Sequence, residues 1–212
     1  MKTVIFDLDG TLADSKDLLE DVSLRLVKKH LPPGFTKKDF AQYRDKNPSQ
    51  IIKLLKINKL QLLCYVIRGR KIIRARRGEL KPITGIEDVL KNLSEAGYEL
   101  KVASSNSKFV VDDFLNRNNL ATYFSGTWGR LGFFSKARGL NKILTKLNIA
   151  KKDAIYIGDE LKDIESCKQI KIKCISVIWG LNSASSLNLN NPGMVVNSTA
   201  ELLQKIKSEL EI

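Results

Sequence analysis

The sequence predicts an α/β fold, a parallel, doubly wound sheet interrupted after its first strand by a helical segment. Three observations predict it. From residue 86 onward, short apolar segments alternate with segments of helical periodicity, as in parallel βαβ units. Residues 16–81 are helical in pattern throughout and contain no readable strand. Several of the apolar segments end in polar residues, where open parallel sheets place their ligand sites.

Residues 2–6 read as the first strand. Ser15 with Asp17, Glu20 and Asp21 marks a capped helix start, and Leu18, Leu19, Val22, Leu26 and Val27 give that helix one apolar face. Leu31-Pro32-Pro33-Gly34 stops it, and Lys81-Pro82-Ile83-Thr84-Gly85 is the return from the helical segment to the sheet. Ile86, Val89, Leu90 and Leu93 line a helix that ends at Gly97. Strands follow at 100–104, near 123–128, at 154–157 and at 174–178. Helices are expected at 108–117, 140–147, 161–170 and 199–210, and residues 181–194 read as an Asn/Ser-rich loop.

The chain has 212 residues, 43% of them hydrophobic, which suits one substantial domain with a smaller insert. Cys64, Cys167 and Cys174 are odd in number and lack metal-ligand spacing, so they read as reduced thiols. No signal-peptide pattern precedes the first strand, and no apolar run approaches a membrane span, so the expected location is the cytoplasm. Net charge is +13, concentrated in residues 16–81, where 18 Lys+Arg face 6 Asp+Glu. A basic surface of this kind attracts anionic substrates, although a solvated lysine-rich helical surface has the same composition.

Chemistry is concentrated at the strand ends. Asp7 and Asp9 follow Val4-Ile5-Phe6 with Gly10 beside them. At i and i+2 two carboxylates can converge on one point, and Mg²⁺ suits such a pair because it takes one or two carboxylates together with phosphate oxygens. The arrangement invites phosphoryl transfer through an aspartyl-phosphate, one carboxylate attacking and the other protonating the leaving oxygen and then activating water. An Asp-Gly turn with incidental carboxylates is the plainer alternative. Ser105 and Asn106 end a second strand, where they could donate to phosphate or simply cap the next helix. Asp159, Glu160 and Asp163 end a third, completing a metal site or complementing a helix dipole. Lys136 lies between those two strands and could neutralise a phosphoryl group.

Together these residues resemble the haloacid dehalogenase-like hydrolase superfamily over essentially the whole chain. Asp7-Leu8-Asp9-Gly10-Thr11-Leu12 is similar to its first motif, Ser105-Asn106 to its second, Lys136 to its third and Gly158-Asp159-Glu160-Leu161-Lys162-Asp163 to its fourth. The resemblance implies a Rossmann-like core, residues 1–15 and 82–212, with an α-helical cap over 16–81. It implies Asp7 as nucleophile and Asp9 as general acid/base. Mg²⁺ would be held by Asp7, the Asp9 carbonyl and Asp159, supported by Asp163, and phosphate by Thr11, Ser105, Asn106 and Lys136. The second aspartate of the first motif is the phosphatase pattern, which dehalogenases lack. Gly158-Asp159-Glu160 with Asp163-Ile164-Glu165, and Val177-Ile178-Trp179-Gly180, resemble phosphoglycolate phosphatase-like members, whereas Phe134-Ser135-Lys136 departs from the Lys-Pro-x-Pro form common there.

The reading that follows is an Mg²⁺-dependent phosphatase for a small phosphorylated metabolite, with 2-phosphoglycolate first. Other sugar or acid phosphates, pyrophosphate, and phosphomutase or phosphonate chemistry stand beside it. A different class, nucleic-acid binding or a nucleic-acid-end phosphatase, is motivated by Arg68, Arg70, Lys71, Arg74, Arg76 and Arg77, but few aromatics interleave with that run. Membrane-surface contact by residues 51–73 is a further option. His30 reads as a helix-end residue, and Trp128 and Trp179 as core or pocket residues.

Overall fold

In the computed structural model, which describes residues 1–132 and 136–211, the first strand is β1 (Thr3–Phe6), buried at every position. It lies in the middle of a six-stranded parallel sheet with β4 (Glu99–Ala103), β5 (Phe124–Trp128), β6 (Ala154–Gly158), β7 (Lys173–Val177) and β8 (Val195–Val196), in the order β5-β4-β1-β6-β7-β8. The chain builds outward from β1 to β4 and β5, then crosses to β6 on the other side. That reversal opens a crevice at the carboxyl ends of β1, β4 and β6.

Alternation along the strands supplies two apolar faces. Val4 and Phe6 pack with α4 (Ile86–Glu95), α5 (Lys108–Arg117) and α9 (Thr199–Glu209). Ile5 and Tyr156 pack with α6 (Lys136–Lys146), α7 (Leu161–Ile170) and α8 (Ala184–Asn190). The sheet is thus covered on both sides, as a parallel sheet requires.

Between β1 and α4 lies the helical insertion. A two-residue ribbon, β2 (Ala13–Asp14) paired antiparallel with β3 (Lys81–Pro82), forms its neck. The insertion holds α1 (Lys16–Val27), α2 (Pro48–Leu54), α3 (Lys59–Ala75) and 3₁₀ turns at 28–30, 37–43 and 77–79. Gly69 of α3 is buried against α1, where an added Cβ would stand 3.2 Å from Leu26 Cδ1. His30 bonds the Tyr65 hydroxyl (3.0 Å) and so ties the end of α1 to α3.

Three differences from the sequence reading stand out. Residues 181–194 are not all loop: Ser183 caps α8, with its hydroxyl accepting from the Ser186 N–H. The neck ribbon and β8 were not expected, since two residues are too few to show alternation. Half of the basic run is also engaged structurally. Arg76 pairs with Asp21 and Glu79, Arg77 pairs with Asp113, and Arg74 and Arg77 lie over the Phe109 ring of α5. Leu60, Leu63 and Ile67 stand exposed on α3. Among the described residues, no helix is long and apolar enough to cross a membrane.

The insertion is also clasped to the loop after β7. Arg44 donates from Nε to the Leu181 carbonyl (2.9 Å) and from Nη2 to the Gly180 carbonyl (3.0 Å). Its own carbonyl accepts from the Ser183 N–H (3.0 Å) and from Asn182 Nδ2 (2.6 Å). Arg44→Ala removes two charge-assisted bonds and leaves two carbonyls to water, so it should lower unfolding stability by about 1–3 kcal/mol. Urea denaturation checks this, and an unchanged midpoint would show that the clasp carries no load.

Candidate active site

The loop leaving β1 sets the first two carboxylates. The Asp7 N–H still follows the ladder, donating to the Ile157 carbonyl of β6 (2.9 Å). The Leu8 carbonyl then accepts from the N–H groups of Thr11, Leu12 and Ala13, folding the chain into a tight turn. Gly10 occupies that turn at φ +66°, and a Cβ there would overlap the Asp159 carboxylate. Backbone and contact both require glycine. Ser15 supports the turn, accepting from the Gly10 N–H (3.0 Å), and makes no side-chain cap on α1, contrary to its expected role.

Asp7 is buried. Its Oδ1 accepts from the Leu8 N–H (2.8 Å) and its Oδ2 from Lys136 Nζ (2.5 Å). Lys136 opens α6, is itself buried, and also reaches Asp163 Oδ1 (2.5 Å). The departure from Lys-Pro-x-Pro falls on Ala137 and Gly139, which continue the helix that Lys136 opens, whereas Phe134 and Ser135 lie outside the described residues. Asp159 follows β6, with Oδ2 accepting from the Leu181 N–H (2.7 Å). Thr11 is buried with its hydroxyl against Asp159 Oδ1 (3.5 Å), so it braces that carboxylate and does not line the cavity described below.

One oxygen each from Asp7, Asp159 and Asp163 lies within 4.8 Å of the others, all three residues buried. The Asp9 side chain stands apart from this group: its Oδ2 accepts from Asn106 Nδ2 (3.0 Å), and its buried Oδ1 has no partner. Ser105 Oγ is likewise buried without a partner. Lys136 is in direct contact with the acidic group, bonding two of its three members. Buried carboxylates in that proportion fit a hard divalent cation such as Mg²⁺. Asp7 and Asp159 would hold it, with Asp163 braced by Lys136 behind them.

Burial, then repulsion from Asp7, pushes the Asp9 carboxyl up to about 6 against the pull of Asn106. Burial, then Glu160 and Asp163, holds Asp159 well above the usual carboxylate range. Burial pushes Asp163 up to about 6 although Lys136 pulls it down. Burial alone would lower Lys136, but Asp163 and Asp7 keep it well above its ordinary value, so it stays charged.

A cavity of 360 Å³ opens directly on Asp7, Asp9, Ser104, Ser105 and Asn106, and the helices of the insertion cover it. The Glu160–Lys162 ion pair (2.5 Å) stands at its edge. Neither Trp128 nor Trp179 lines it; Trp179 Nε1 donates to the Thr11 carbonyl (3.2 Å). The sequence reading missed the Leu181 amide and Gly180, where a Cβ would overlap Asp159. A main-chain donor leaves no mark in a sequence, and Gly180, although part of the Val177-Ile178-Trp179-Gly180 resemblance, carried no sign of its closeness to Asp159.

The chain is similar to known proteins in sequence and fold. Residues 4–177 match the haloacid dehalogenase-like hydrolase family. The chain is 27% identical to a phosphoglycolate phosphatase of Synechococcus elongatus, over 97% of each chain. It is 25% identical to the pyrophosphatase PpaX of Listeria innocua, over 98% of this chain and 97% of that one. Among solved structures, a predicted phosphatase from Clostridium acetobutylicum superposes with a TM-score of 0.83 at 26% identity, covering 98% of each chain.

The raised Asp9 carboxyl has a consequence for stability. Its folded value, about 6, lies above the unfolded 3.8, so the folded state holds the proton more tightly. Below 3.8 both states are protonated and there is no cost; above about 6 the buried charge costs on the order of 2 kcal/mol after allowance for partial exposure. Metal-free protein should therefore lose stability relative to Asp9→Asn as pH rises across that window, then hold a constant deficit. Thermal unfolding of both proteins from pH 4 to pH 8 checks this, and a difference independent of pH would contradict it.

Proposed function

The chain belongs to the haloacid dehalogenase-like hydrolase family, and from that premise we propose that it hydrolyses phosphate monoesters through an aspartyl-phosphate on Asp7. One observation carries the reading. Two carboxylates two residues apart sit in opposite environments: Asp7 against the charged amine of Lys136, Asp9 with its ionisation suppressed and one oxygen unpartnered. Such divergence supports Asp7 as nucleophile and Asp9 as acid.

Asp7 attacks the phosphorus, the bond to the leaving oxygen breaks, and Asp9 delivers its proton to that oxygen. Asp9, now ionised, takes a proton from water, and the hydroxide displaces phosphate from Asp7. Ser105 Oγ and the Asn106 amide, both lining the cavity, would hold the phosphoryl oxygens, and Lys136, bonded to Asp7, would keep it oriented. Bound Mg²⁺ would neutralise charge on the carboxylates and the phosphoryl oxygens. The name of the Synechococcus relative supports 2-phosphoglycolate as the first substrate to test, and that of the Listeria relative supports pyrophosphate.

Phosphate release from these compounds with and without Mg²⁺ tests the reading. Wild type should turn over only with Mg²⁺. Asp7→Asn should fall below detection, and Asp9→Asn should lose roughly 10²–10⁴-fold. Retained turnover in Asp7→Asn would refute a covalent route through that residue.

A further inference from the structure

The walls of the 360 Å³ cavity are chemically divided. Its floor is the polar strand-end loops, with Asp9 among them. Its roof is the insertion, and there α1 presents Val22 and Leu26, α2 presents Ile51, and α3 presents Val66 and Ile73. The Tyr65 hydroxyl in the same roof is already bonded to His30. Among the described residues, Arg70 is the one charged side chain that the insertion adds to the lining.

If Asp7 attacks and Asp9 protonates the leaving oxygen, the alcohol part of the substrate extends past Asp9 into this space. Resting on the phosphatase reading above, we infer that the preferred substrate is a phosphate monoester whose alcohol carries an apolar alkyl or aryl body. A cavity of this volume lies within the usual range of small-molecule sites. The alcohol part of 2-phosphoglycolate is a two-carbon acid. It would leave most of the roof unfilled and set a carboxylate among leucine, isoleucine and valine, with Arg70 as the charged group of the roof available to pair it. Pyrophosphate would place a second phosphate there. An alkyl chain displaces water from the same walls and gains with each methylene.

The test is a series of ethyl, butyl, hexyl and octyl phosphate assayed with Mg²⁺ beside 2-phosphoglycolate and pyrophosphate. The expected result is kcat/KM rising with chain length, by up to about fourfold per methylene, the equivalent of about 0.8 kcal/mol, with octyl phosphate above both polar substrates. Val66→Asp should lower the octyl-to-ethyl ratio at least tenfold; should that variant fail to fold, the near-isosteric Val66→Thr should lower the same ratio several-fold. A flat or falling series, with 2-phosphoglycolate preferred and its turnover lost in Arg70→Met, would overturn the inference and assign Arg70 to the carboxylate, leaving the phosphatase reading intact. No phosphate from any ester, from protein shown to be folded by circular dichroism, would overturn the phosphatase reading and the inference with it.

Discussion

Lys136 and the three carboxylates of Asp7, Asp159 and Asp163 form the constraint on which the rest of the structure depends. All four are buried, at the meeting of β1, β6, α6 and α7. Charges withdrawn from water are tolerated only when paired or metal-bound, so the backbone around them has no freedom to drift. Gly10, Gly158 and Gly180 stand where any side chain would overlap Asp159 or Asp163. The Leu181 amide holds Asp159, and Arg44 of the insertion holds the Leu181 carbonyl. A continuous path of direct contacts therefore runs from the insertion to the carboxylate that would bind metal.

The same burial gives the carboxylates their different chemistry. Asp7 has a cation in direct contact, whereas Asp9 has an amide and an unpartnered oxygen. In the proposed mechanism the proton rests on Asp9 when the leaving oxygen needs it, and the burial of Asp9 beside Asp7 on one tight turn supports that role. The insertion adds little to this chemistry. It covers the crevice with a largely apolar roof that includes Arg70, the surface on which the inferred preference for an apolar ester rests.

Most of the fold was legible because its signals are local. The strands at β1, β4 and β6 are short apolar runs, and Leu161–Ile170 shows its helical face in sequence. Helix α8 was not legible: in Ala184–Asn190 only Leu187 is buried among the apolar positions, and Leu189 is exposed, so no periodic stripe marks it. In the site, Asp7, Asp9 and Asp159 could be placed because a carboxylate at the end of an apolar strand is conspicuous. Lys136 is one lysine among many until the fold brings it to Asp7. Neither the turning of Thr11 toward Asp159 nor the roof of the cavity is written locally, since both arise from elements far apart in the chain.

The central claim is that Asp7 becomes covalently phosphorylated. The most direct measurement is rapid acid quench of the Mg²⁺-loaded protein during turnover, followed by mass spectrometry of the peptide that contains Asp7. The account predicts a transient gain of one phosphoryl group on Asp7, absent in Asp7→Asn. Turnover with no phosphoryl group on that peptide at any quench time would contradict it and point to direct attack by water.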